Sequence, residues 1–116
     1  MMFNQAYDDT QEDDQQEARA DEREIIERSI EMMAHSDQYP EEAKSRIAAM
    51  YFTHRLWSHF LSDLASDENT SPAETKASLI SIGIFILKHI EKMRNSPTVA
   101  FRPIREISET IVRGLR

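Results

Sequence analysis

The 116-residue chain has no cysteine, only two glycines and four prolines, and a single tryptophan. Without cysteine there is no disulfide framework, no thiolate metal site and no thiol nucleophile, and the composition fits a reducing compartment. The cytoplasm is the expected location. So few turn-forming residues favour few, long elements. The longest apolar run, Leu79 to Leu87, is nine residues with Ser81 inside it, well short of the ~18 to 20 that cross a bilayer. No basic segment followed by an apolar one opens the chain, so neither a membrane span nor a signal peptide is expected. Also missing are a Gly-rich phosphate loop, a nucleophile elbow and any array of carboxylates and histidines with catalytic spacing. His54 and His59 are five apart, about 140° around a helix, so they cannot share an ion as an i, i+4 pair does. No enzyme activity, cofactor or metal is expected.

What is present is charge, unevenly spread. Residues 1–42 carry 14 Asp and Glu against 3 Arg, a net of -11, while residues 43–116 carry 7 acidic and 11 basic side chains, a net of +4, which together give the chain's -7. The run from Asp8 to Gln16 is too polar to offset its ordering entropy by burial. Residues 1–16 are therefore expected to form a mobile acidic arm, and residues 17–116 a single helical domain, one core's worth of chain.

Within that domain the helical period recurs four times. From Glu17 to about His35, Ile26, Ile30 and Met33 form a stripe edged by Ile25, Ser29 and Met32, with Glu24, Glu27, Arg28 and Glu31 on the wet side. Ser36 to Tyr39 reads as a loop, with Pro40 opening the next helix. That helix, Pro40 to about Ala65, places Ile47, Met50, Tyr51, His54, Trp57, Leu61 and Leu64 on one broad face, the expected core. A ridge of Phe52, Leu56 and Phe60 lies on nearly the opposite side, either covered by a second neighbour or offered to a partner. Ser71-Pro72-Ala73-Glu74 has the form of a capping box for a third helix reaching Met93. Its face is Leu79, Ile82, Gly83, Ile86, Ile90 and Met93, flanked by Ile80, Ile84 and Leu87. Being apolar nearly all round, it is expected to sit inside. A break at Arg94 to Thr98 leads to a last helix from near Pro103, with the stripe Ile104, Ile107, Ile111 and Leu115. The fold class is all-α, a small bundle of about four helices with a mobile acidic N-terminal arm.

The segments Arg55-Leu56-Trp57-Ser58-His59-Phe60-Leu61-Ser62-Asp63-Leu64 and Leu79-Ile80-Ser81-Ile82-Gly83-Ile84-Phe85 resemble the FlaF family of flagellar biosynthesis regulators. Phe101-Arg102-Pro103-Ile104-Arg105-Glu106-Ile107 with Gly114-Leu115 is similar to the family's closing helix, and Asn4-Gln5-Ala6-Tyr7-Asp8-Asp9-Thr10-Gln11 to its opening. The chain departs from the family in its doubled Met and in the acidic stretch Asp8 to Glu17. The resemblance implies a small cytoplasmic helical protein that promotes flagellin synthesis and secretion. Its implied partners are flagellin and FlbT, the regulator that restrains translation of flagellin messenger RNA.

A binding role requires apolar surface to spare. The candidate partner-binding residues are Phe52, Leu56 and Phe60 on the second helix and Phe85 on the third, either set offering a groove for an amphipathic helix. The competing reading is direct contact with flagellin messenger RNA through Lys88, Lys92, Arg94, Arg102 and Arg105. Glu91, Glu106 and Glu109 interrupt that set, so direct nucleic-acid contact is not expected.

Overall fold

The computed structural model describes the backbone of residues 2–114 and the side chains of residues 17–114, Arg19 excepted. Four helices follow one another: α1 (Met2–Gln38), α2 (Ala43–Ala65), α3 (Ala73–Asn95) and α4 (Arg102–Gly114). There is no strand among the described residues. The fold is all-α, as the helical periodicities predict. The expected acidic arm, residues 1–16, lies outside the residues whose side chains are described. None of the helices is long and apolar enough to cross a membrane among the described residues.

Local sequence misplaces three helix ends, each for a physical reason. α1 does not stop near His35 but runs on to Gln38, because Ser36 is buried and Asp37 has a distant task. The Asp37 carboxylate accepts the Phe101 N–H at 2.9 Å and the Arg105 Nε–H at 3.1 Å. It thereby satisfies a free amide at the start of α4 and offsets the positive end of that helix. α2 begins at Ala43 rather than Pro40, since the Tyr39 carbonyl accepts the Glu42 N–H at 3.0 Å and closes a turn with Pro40 in its second position. His35 and Ser45 both bond to the Glu42 carboxylate, at 2.6 and 3.0 Å, and hold it below the usual carboxylate range, His35 contributing most. The capping box at Ser71 does not form. α3 starts at Ala73 behind an extended Pro72 with no side-chain cap, and the Ser71 N–H is instead taken by Asn69 Oδ1 at 3.0 Å.

α2 packs against α1 on one flank and α3 on the other, while α4 lies along α1 and meets α3 only lightly. The core draws Ile26 and Met33 from α1, Ala49, Leu56 and Trp57 from α2, Ile86, Ile90 and Met93 from α3, and Phe101 and Ile104 from the start of α4. Ile107 and Ile111 pack against it as the last stripe predicts; Leu115 lies outside the described residues. The expected core face of α2 needs correction. Ile47 and Tyr51 stand 65% and 63% exposed, whereas Ala49, Thr53 and Leu56 are buried. With a neighbour on each flank, α2 buries an arc centred between the two apolar ridges, so its middle falls on small Ala49 and polar Thr53. α3 also differs from expectation. Gly83, Ile86, Ile90 and Met93 are buried and Phe85 faces outward as a candidate for partner binding should, but Ile84 faces outward too, because α4 seats on α1 and leaves the far side of α3 uncovered.

Two contacts fix how α3 lies. Arg46 reaches from α2 to the end of α3 and donates to the Met93, Ser96 and Val99 carbonyls at 3.1, 3.0 and 2.8 Å. At Gly83 the helices come so close that an added Cβ would stand 2.7 Å from Leu61 Cδ2 and 2.9 Å from Leu61 Cγ. Gly83→Ala gains about 1 kcal/mol of helix propensity but must displace Leu61, an overpacking that costs ~1–3 kcal/mol. The net expectation is a modest loss, about 1 kcal/mol, in urea unfolding. In a Leu61→Ala background the same substitution should stabilise. A stabilising Gly83→Ala in the otherwise native chain would show that Leu61 swings aside freely.

Candidate functional site

Three of the four sequence candidates come together. Leu56 is buried, and Phe52 and Phe60 are half-buried against the core beside it. With Ile25 of α1 and Tyr51, Arg55 and His59 of α2 they line a shallow groove between the first two helices. Phe85 does not join them: it stands 44% exposed on α3, its ring 6.1 Å from that of His89.

The groove continues along the α1/α2 seam. Ile25 and Phe52 also border a depression with Asp21, Glu24, Glu27, Arg28 and Glu31. Arg28 and Glu31 lead on to a third, with Met32, His35, Ser45 and Ala48. All three are lined by α1 and α2 alone, with no contribution from α3 or α4. From Ser45 to Phe60 at 1.5 Å per residue the seam runs about 22 Å, the length of some four helical turns. Its apolar lining is Ile25 and Met32 of α1 with Tyr51, Phe52, Leu56 and Phe60 of α2; the α1 side carries Asp21, Glu24, Glu27 and Glu31 with Arg28 among them, and the α2 side carries Arg55. Arg55 is held along that side, 5.7 Å over the Tyr51 ring and donating to the Tyr51 hydroxyl at 3.3 Å. Sequence periodicity assigned Tyr51 to the core and Ile25 to the edge of a stripe, so it missed both as lining. The spacing Tyr51, Arg55, His59 at i, i+4, i+8 was the available signal that one outer edge of α2 carries aromatic and basic groups together.

A second hollow of about 130 Å³ lies among Trp57, Phe60, Leu64, Leu79, Ile26 and Ile111, with Glu22, Asp63, Asn69 and Ser71 at its edge. Trp57 packs edge-on to Phe60, ring centroids 5.3 Å apart, and its buried indole N–H meets no acceptor among the described residues. Thr53 and Ser108 carry buried hydroxyls in the same condition. The described residues contain no group of three or more His, Asp or Glu placed to share a metal ion.

The basic residues considered for RNA contact are mostly engaged. Arg94 pairs with Glu91 at 3.2 Å, Arg102 with Glu106 at 2.9 Å and Arg105 with Asp37 at 3.1 Å.

The family model described as flagellar protein FlaF matches residues 3–115. No curated protein and no solved structure matches the chain.

Proposed function

The chain belongs to the FlaF family of flagellar proteins, and from that premise we propose that it is a non-enzymatic regulator of flagellum biogenesis that binds flagellin, the FlbT regulator, or both. It acts in the cytoplasm in the manner of a chaperone: holding a helical end of unassembled flagellin keeps the subunit soluble, and engaging FlbT relieves repression of flagellin synthesis. The observation that carries this reading is the groove between α1 and α2, about four turns long, whose apolar lining of Ile25, Tyr51, Phe52, Leu56 and Phe60 at one end no helix of the described chain covers. An amphipathic helix buries its own apolar face in such a groove. Direct nucleic-acid contact is not part of the mechanism, in keeping with the pairing of Arg94, Arg102 and Arg105 with carboxylates.

The test is size-exclusion chromatography with light scattering on the protein alone and mixed with the flagellin of the same cell, at near-physiological salt. A stoichiometric complex is expected. Tyr51→Ala and Ile25→Ser alter exposed side chains at the groove and should weaken it by about tenfold or more, as loss of an interface aromatic does. Phe85→Ala should leave it unchanged. Absence of any complex with flagellin or FlbT would overturn the reading, and weakening by Phe85→Ala alone would move the binding face to α3.

A further inference from the structure

We propose that the α1/α2 groove selects an amphipathic helix with basic side chains on the flank that meets α1 and acidic side chains on the flank that meets α2. The inference rests on the helix-in-groove reading above and specifies which helix that groove accepts and in which direction. Asp21 and Glu24 border the floor from α1, beside Ile25, and neither makes an ion pair among the described residues. Arg28 also borders the α1 side, but it pairs with Glu31 at 3.6 Å. On the α2 side Arg55 lines the adjoining stretch of the groove, which shares Ile25 and Phe52 with that of Asp21 and Glu24, its guanidinium held along the edge by the Tyr51 ring and hydroxyl. The apolar floor is indifferent to the direction of its guest, because a stripe of leucines looks alike from either end. The two sides are not. Turning a bound helix end for end exchanges its flanks, so opposite charges on the two sides favour one direction and oppose the other.

The probes are three synthetic helical peptides of sixteen residues sharing one apolar face. The first carries Lys on one flank and Glu on the other, the second Lys on both, the third Glu on both. Binding is followed by fluorescence anisotropy at low and at high salt. The mixed peptide should bind at least about tenfold more tightly than the all-Glu peptide and also more tightly than the all-Lys one. High salt should compress these differences. In the Asp21→Lys, Glu24→Lys protein the α1 side next to Ile25 turns basic while Glu27 and Glu31 remain farther along it, and the all-Glu peptide should then bind more tightly than the all-Lys one. Circular dichroism checks that these exposed substitutions leave the fold intact. Equal affinities, an order unchanged by the charge reversal, no binding by any peptide, or an all-Lys peptide tighter than the mixed one would each overturn the proposal, the last because net charge alone would then govern. Flagellin is run beside the peptides. Flagellin binding that ignores the charge reversal removes this inference and leaves the flagellin reading standing; the expected peptide order without flagellin binding does the reverse.

Discussion

Trp57→Ala is expected to cost about 3–5 kcal/mol, out of the ~5–15 kcal/mol that holds a domain of this size folded. Trp57 is 1% exposed, sits where α1, α2, α3 and α4 converge, and already adjoins a hollow of about 130 Å³. Truncation would enlarge that hollow rather than let the walls close, which places the cost at the upper end. The readout is the urea midpoint by far-ultraviolet circular dichroism, which needs no tryptophan signal. Trp57→Phe is the informative companion. Its smaller ring loses packing, but it also removes an indole N–H that has no acceptor among the described residues, and a buried unsatisfied donor costs ~1–3 kcal/mol. The two effects oppose each other, so Trp57→Phe should lie within about 1.5 kcal/mol of the native protein. A Phe variant as damaged as the Ala variant would show that the N–H is bonded in solution.

Arg46→Met should be nearly as severe, about 3 kcal/mol, although it keeps the apolar stem. The guanidinium satisfies three carbonyls at once, those of Met93, Ser96 and Val99. These belong to the last turn of α3 and the connection that follows, where the Met93 and Ser96 carbonyls otherwise accept only long backbone bonds, 3.3 Å from the Ser96 and Val99 N–H groups. Hydrogen bonds to a charged group contribute more than neutral ones, and the planar fork of Arg suits three acceptors better than the point charge of Lys. Arg46→Lys should therefore recover less than half of the loss. Thermolysin should cut Arg46→Met between residues 95 and 101 at concentrations that spare the native chain. A variant that resists cleavage and keeps its urea midpoint would show that the connection holds itself in place.

The helical class and the four elements were legible because each apolar stripe repeats at 3.6 residues and is separated from the next by polar residues or Pro. The facing of α2 was not. Its buried arc is centred on Ala49 and Thr53, which carry little apolar weight, while Ile47 and Tyr51 carry much and face water. Periodicity registers apolar side chains, not neighbours. The same limit hid the extension of α1, since Ser36 and Asp37 look like a loop until Phe101 and Arg105 are placed beside them. The floor of the groove was legible in Phe52, Leu56 and Phe60. Its charged edge was not, because Glu24, Glu27, Arg28 and Glu31 read as an ordinary wet face until Phe52 of α2 is placed beside them.

The bond from Asp37 to the start of α4 joins residues 64 and 68 positions apart, whereas α2 and α3 are neighbours in the chain. During synthesis the second and third helices can therefore pair soon after they are made, but the core stays open until Phe101 and Ile104 exist. The newborn chain leaves Ile26 and Met33 without their α4 neighbours for that interval, and α4, joined to the rest chiefly through α1, is the element whose departure on unfolding reopens the core.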